Sequence, residues 1–472
     1  MDALLLSRIQ FGFVVSFHIL FPAFTIGLAS WLAFCKWRFI RTRDEVWHDI
    51  YFFWLRIFAI SFGLGVVSGV VMSFQFGTNW AVLSERAGNI LGPVMSYEVL
   101  TAFFLEATFL GVMLFGHRRV SERMHFFATC MVALGTFISM FWILSANSWM
   151  HTPQGYTIAP DGTFHPADWW AIVFNPSFPY RLSHMALAAF ITTCLVVGGV
   201  GAGYLLKGIH VEPAKRMLRM AVLFAAITVP AQILVGDLHG LNVGEYQPTK
   251  LAAIEAHWEP AEPGEGVPLV VFGIPNQQAE RNDYEVKIPR LGSIILTHTW
   301  DGDIQNLKAV AKEDRPPVAP VFFSFRVMVG LGMLMLLMAA WSAWALWKKR
   351  LFESRALLRF WRLMMFSGFV SILAGWYVAE IGRQPWVIYG LLRTSQAVSP
   401  TVEAASVLTS LVAFAVVYAI VFGAGIWYLV KLVKKGPVPH DTGPKADEGE
   451  RRPKRPLSVG DEFPDEEIRE AR

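Results

Sequence analysis

The segment LMMFSGFVSILAGWYVAEIGRQPW, residues 363–386, settles the class of this chain. From Leu363 to Ile381 it runs nineteen residues with a single charge, Glu380, and an α-helix of about that length crosses the hydrocarbon core of a bilayer. Gly382 and Pro385 then stop the helix, and Arg383 lies just past its end. A segment built for lipid thus finishes with an acid and a base at its mouth. A structural ion pair, or an arginine snorkelling to the interface, would account for that ending taken alone; the rest of the chain supplies a third account.

Composition agrees with the segment. Of 472 residues, 54% are hydrophobic and only 17% charged, which is too apolar for a soluble domain and implies an integral membrane protein. The formal charge of +4 has a topological origin and does not imply nucleic acid as a partner. Cys35, Cys130 and Cys194 stand singly inside apolar runs, a pattern of small core residues and not of a disulfide framework, a zinc site or an iron-sulfur site. The first apolar run has no basic region before it beyond Arg8 and is long enough to remain as a span, so no cleavable signal is expected.

Nine spans are predicted, at 10–35, 51–76, 94–116, 124–147, 183–206, 217–237, 319–347, 363–381 and 404–430. The fold expected is an all-α bundle of about nine transmembrane helices. Lys and Arg in the short connections number twenty on one side and five on the other, which puts the N-terminus outside and the C-terminus in the cytoplasm. The chain then divides into six helices over 1–237, an outer loop over 238–318, three helices over 319–431 and a charged, proline-rich tail over 432–472 expected to be disordered. Within the loop, GVPLVVFGIP and LGSIILTHTW suggest local structure. No internal repeat is apparent.

Ionisable groups at membrane depth cost several kcal/mol unless paired, protonated or turned to a cavity, so each is a functional candidate. They are His18, Glu98, Glu106, His184, Arg326 and Glu380, with Met328 two residues from Arg326. Nine of the twelve histidines fall in predicted connections or the tail, and His125 at a cytoplasmic helix end, which leaves His18 and His184 for chemistry. By the predicted boundaries, His18, Glu98, His184, Met328 and Glu380 each lie in the outer third of a different span, an apparent common layer. Imidazole, thioether and carboxylate without cysteine fit haem iron: a His/Met pair closes both axial positions, whereas a single His or Glu leaves one open. Glu98 and Glu106, eight residues apart, are about 12 Å apart in depth and about 80° apart around a regular helix, a spacing suited to a proton relay. Each residue alone also reads as ordinary helix packing, Met328 above all among seventeen methionines.

Five blocks, SFQFGTNW (73–80), FFLEATF (103–109), TKLAAIEAHWE (249–259), SFRVMVGLG (324–332) and AGWYVAEIGRQPW (374–386), carry a resemblance to subunit I of the cytochrome bd-type quinol oxidases over residues 5–430. The resemblance implies that His184 and Met328 hold a low-spin haem b, with Arg326 beside its propionates or iron. It implies that His18 and Glu380 ligate a high-spin haem b and a haem d where oxygen is reduced, with Glu98 at that site and Glu106 passing protons. It makes Trp376 an aromatic bridge between haems, Arg383 a partner of haem propionates, and Lys250 and Glu255 the quinol-contacting residues of the loop. A second large subunit, small single-helix subunits and a bacterial inner membrane are implied as well. The short loop and the segment PQGYTIAPDGTFHPADWWAIVFNPSFPYRLSHM resemble the cyanide-insensitive branch, where a further haem b takes the place of haem d. Two rivals stay open at this stage. A di-haem quinone-linked anchor without oxygen chemistry would leave His18, Glu98 and Glu380 idle, and a proton-coupled transporter would need matched helix breaks that the sequence does not show.

Overall fold

In the computed structural model, residues 2–262 and 264–438 are described; the rest of the tail expected from residue 432 lies outside them. Among the described residues nine helices are long and apolar enough to cross a membrane. They are Ala3–Thr42, Glu45–Thr78, Ala81–Phe115, Glu122–His151, Trp169–Lys207, Val211–Tyr246, Lys312–Trp347, Arg355–Ile381 and Ala404–Lys435, here the first to ninth spans. The fifth, seventh and eighth include short helical lead-ins, their main helices being Phe178–Lys207, Val318–Trp347 and Ser367–Ile381.

Most spans run past the limits read from the sequence, because a helix needs apolar residues only where it meets lipid. Beyond that zone capping takes over: Asp2, Asp44, Ser121 and Ser354 each accept a bond from a first-turn backbone N–H. Two extensions matter for the site. The fourth span continues to His151 and the sixth to Tyr246, so the loop placed at 238–318 begins later, near Gln247. The ninth span ends at Lys435, a few residues into the expected tail.

The helices approach closely where side chains are small. A Cβ on Gly27 would fall 2.3 Å from Thr193 Oγ1, one on Gly198 2.4 Å from the Trp361 ring and one on Gly368 2.5 Å from Thr192 Oγ1, so the first and eighth spans lie tightly on the fifth. Trp54, Trp149 and Trp361 are fully enclosed, and Trp361 donates from Nε1 to Ser342 Oγ at 2.9 Å, which satisfies its polar edge. Lys36, counted in the sequence with the basic connections, is buried instead, its Nζ over the rings of Phe39 at 5.2 Å and Tyr51 at 5.6 Å.

The long connection is structured. Pro248–Glu255 is a helix, Leu269–Asn276 and Arg281–Ile288 pair as an antiparallel hairpin, and the second apolar stretch forms the helix Leu291–Thr297. Val318, Phe322 and Val378 of the seventh and eighth spans pack with Leu251, Ile254, Trp258 and Val270 of this loop. The loop is thereby seated on one end of the bundle, called here the loop end.

Candidate functional site

At the loop end Glu380 occupies the last turn of the eighth span, and its carboxylate is held by three side chains, two from the fourth span and one from just past its own helix. Asn147 of the fourth span donates Nδ2–H to Oε1 at 2.8 Å, His151 Nε2 lies 3.3 Å from the same oxygen, and Arg383 Nη2 reaches Oε2 at 2.5 Å. The pair anticipated from sequence as one account of the ending is therefore formed, within a larger assembly. Asn147 turns its carbonyl oxygen to Arg181 Nη1 of the fifth span at 3.2 Å. On the other side of His151, Lys250 Nζ lies 3.0 Å from Nδ1 and 2.5 Å from Gln247 Oε1. Gly382 is required by this arrangement, since a Cβ there would fall 2.9 Å from Lys250 Cγ. His151, Gln247, Lys250, Arg181 and Arg383 are all at most 7% exposed.

Charge does not balance here. Lys250, Arg181 and Arg383 surround one carboxylate. The Lys250 ammonium is accordingly held well below its usual pKa, first by burial and then by repulsion from Arg181 and Arg383, with Glu380 pulling the other way. Arg383 Nε and Nη1 and Arg181 Nε are buried and without a hydrogen-bond partner. Unpaired guanidinium N–H groups in a buried, cation-rich site call for anions, and the carboxylates of a haem would fit that demand.

Glu255, 3% exposed, ends the loop helix and accepts from Arg326 Nη2 at 2.8 Å. Arg326 also donates to the Val270 carbonyl, at 2.6 Å from Nη2, and to the Ile254 carbonyl at 3.2 Å. Arg326 thus holds the loop to the seventh span. Burial raises the Glu255 carboxyl, and the Arg326 charge opposes that rise. Clefts of about 340 Å³ and 240 Å³ flank the loop helix, but neither Lys250 nor Glu255 lines them; both face inward.

The remaining ligand candidates lie against glycines. A Cβ on Gly69 would come within 3.1 Å of His18 Cε1, one on Gly236 within 3.3 Å of His184 Cε1 and one on Gly375 within 2.9 Å of Met328 Sδ. His18 Nδ1 meets Ser68 Oγ at 3.0 Å, while His184 Nδ1 is buried without a partner. Trp376, half-buried, sits beside Gly375 on the eighth span, and its neighbour Tyr377 bonds Ser16 of the first span at 2.9 Å, two residues from His18. Donor types, missing partners and backbone clearances all fit haem.

Glu98 and Glu106 are not on the Glu380 level. Ser139 donates to Glu98 Oε1 at 2.7 Å, and Ser139 precedes Asn147 by eight residues, about 12 Å along the fourth span. Glu98 thus leaves the common layer inferred from sequence, because the third span begins at Ala81 and not at 94, which sets Glu98 deep within it. The 80° offset is also corrected. Val99–Phe103 is a π-helical turn, and such a bulge absorbs one extra residue, so the two carboxylates come within about 20° of one face. Both meet the fourth span: Glu106 Cγ would lie 2.5 Å from a Cβ on Gly135, one turn from Ser139. Trp142 pins the bulge by donating to Thr101 Oγ1 at 3.0 Å.

Two histidines were missed from the sequence. His151 and His239 had been assigned to connections, yet both lie in the helical extensions of the fourth and sixth spans. The His239 ring centroid is 5.6 Å from that of His184, and its Nε2 is buried without a partner. The available signal was the lack of any helix breaker between the predicted span ends and these residues.

A helical bundle with imidazole, thioether, carboxylate and unneutralised cations converging near one end is a multi-pass membrane protein of the redox-carrier class. A profile of cytochrome bd terminal oxidase subunit I matches residues 6–437. Among curated proteins, the cytochrome bd ubiquinol oxidase subunit 1 of Bacillus subtilis (strain 168) is 34% identical over 92% of this chain and 94% of its own length. The cytochrome bd-II ubiquinol oxidase subunit 1 of Escherichia coli (strain K12) is 31% identical over 92% and 97%. Among solved structures, the bd oxidase from Geobacillus thermodenitrificans superposes with a TM-score of 0.85 at 29% identity, over 92% of this chain and 99% of that one. This chain belongs to the cytochrome bd terminal oxidase subunit I family, and it is a multi-pass protein of the bacterial inner membrane.

Proposed function

We propose that this chain is the haem-bearing subunit of a terminal quinol:oxygen oxidoreductase that works with a second large subunit and small single-helix subunits. The observation that carries the proposal is the buried excess of cations around Glu380, with orphaned N–H groups on Arg181 and Arg383. When bound, haem supplies electron transfer from quinol and the reduction of oxygen to water. His184 and Met328 hold the low-spin haem b. His18 and Glu380 would hold the high-spin haem b and the haem d, or the further haem b in its place, with Trp376 serving as the aromatic bridge.

The loop end is the outer face in this reading, which the excess of basic residues in the connections at the other end supports. Lys250 and Glu255 receive the quinol there, and Arg326 positions Glu255 for it. Because both residues face inward, the loop helix must part from the bundle to admit the substrate. Protons of the quinol leave on the outer side. The four protons consumed for each oxygen molecule come from the cytoplasm, and Glu106, Ser139 and Glu98 form the inner part of their route. Taking protons from one side and releasing them on the other generates a proton motive force without a pump.

A reduced-minus-oxidised spectrum of the purified complex, with pyridine haemochrome analysis, tests this. The expected result is low-spin b bands together with high-spin bands and quinol-dependent oxygen uptake. A colourless protein, or low-spin haem alone without oxygen uptake, would overturn it.

A further inference from the structure

We propose that His151 is a positioning residue that couples the state of Lys250, the residue assigned to receive quinol, to the carboxylate of Glu380, the residue assigned to hold iron. The inference rests on the functional reading above and extends it to a residue outside the site set inferred from sequence.

Three observations carry it. His151 is 0% exposed and stands between the two groups, on a third element: Lys250 belongs to the loop helix, Glu380 to the eighth span and His151 to the end of the fourth. Both ring nitrogens are used, Nδ1 at 3.0 Å from Lys250 Nζ and Nε2 at 3.3 Å from Glu380 Oε1. The partners fix the tautomer. A carboxylate oxygen can only accept, so Nε2 carries the hydrogen; Nδ1 of the neutral ring is then a bare lone pair and accepts from Lys250 Nζ, which can donate whether or not it is charged. Gln247 Oε1, 3.3 Å from Nδ1, shares the Lys250 donor and takes no hydrogen from the ring.

A neutral imidazole held this way transmits polarisation. Donation from Lys250 into Nδ1 makes Nε2–H a stronger donor to Glu380, since linked hydrogen bonds strengthen one another. A quinol oxygen that draws the Lys250 ammonium toward itself weakens both links, and Glu380 becomes more electron-rich. A more electron-rich ligand favours the ferric state, so occupancy of the quinol pocket lowers the potential of the haem held by Glu380. Asn147 and Arg383 keep the carboxylate in place meanwhile. The loop helix thereby reports its occupancy to the oxygen-reducing end without moving a span.

The test is a spectroelectrochemical titration of the purified complex at fixed pH, with and without a saturating, redox-inert quinol analogue. The wild type is expected to show a downward shift in the midpoint potential of the Glu380-held haem when the analogue binds. His151→Asn retains a group near Nδ1 for Lys250 but falls short of Glu380, so it should bind the analogue and haem normally and lose the shift. His151→Gln reaches the Nε2 position with an N–H donor and should restore part of it. His151→Leu provides a second broken link if the Asn variant does not assemble. Absence of the shift in the wild type, or its persistence in both broken variants, overturns the coupling alone. A complex without haem, or without analogue binding, overturns the functional reading on which the coupling rests.

Discussion

Replacing Arg326 by methionine, close in length and without charge, isolates what holds the loop to the bundle. In the native protein Arg326 satisfies the Glu255 carboxylate at 2.8 Å and the carbonyls of Val270 and Ile254. Removal leaves a carboxylate that is 3% exposed beside two carbonyls that lose a donor. An unpaired buried charge costs about 3–5 kcal/mol, but protonation of Glu255 caps that cost, so a local destabilisation of about 2–4 kcal/mol is expected. Since 1.36 kcal/mol is a factor of ten, amides of Leu251–Glu255 and of the hairpin at Val270 should exchange roughly 30- to 900-fold faster with deuterium. The pH dependence has a definite sign. Burial already raises the Glu255 carboxyl above its ordinary 4.5, and loss of Arg326 raises it further. A carboxyl whose folded pKa is raised binds more protons folded than unfolded, so its contribution to stability falls as pH rises from 4.5 through the raised value. The variant loop should therefore be tighter in acid than at neutral pH, and the difference from wild type should narrow on acidification. Exchange mass spectrometry of the purified complex across that range checks this. Unchanged protection in the variant, or a gap that widens in acid, would refute the anchoring role.

Three further outcomes follow from the geometry. His184→Ala should abolish the low-spin optical signal and leave the high-spin bands; loss of the high-spin bands alone would contradict its assignment. Gly375→Val puts a Cβ about where the Met328 thioether lies, 2.9 Å away, and should broaden or remove the same low-spin bands while haem content falls by no more than one group, measured by pyridine haemochrome. Gly135→Val places a Cβ 2.5 Å from Glu106 Cγ; overpacking of about 1–3 kcal/mol should displace the carboxylate, slowing steady-state oxygen uptake about tenfold or more with the haem spectrum intact. Normal turnover in that variant would remove Glu106 from the proton route.

The spans were legible because their signal is local: each is about twenty apolar residues, and length against bilayer thickness is a one-dimensional property. The chemical types at the site were legible for a related reason. His18, Glu98, Glu106, His184 and Glu380 stand out against apolar neighbours, and Arg326, Met328, Trp376, Arg383, Lys250 and Glu255 sit in the motifs that carry the family resemblance. His151 and His239 were missed because hydropathy marks where lipid ends and not where the helix ends, and both lie in that difference. The π-turn at Val99–Phe103 left no mark in a sequence as apolar as its surroundings, so the shared face of Glu98 and Glu106 could not be read from helical spacing.

Membrane class, number of crossings and the inventory of candidate ligands therefore belonged to the amino-acid order alone. The pairings did not. Glu380 meets His151 across 229 positions of chain, Arg326 meets Glu255 across 71, and Lys250 meets His151 across 99. Whether a buried cation finds a carboxylate, a carbonyl or an imidazole depends on angstrom-scale helix approach, and that is set by which glycines face which neighbours once nine helices and a seated loop are packed together.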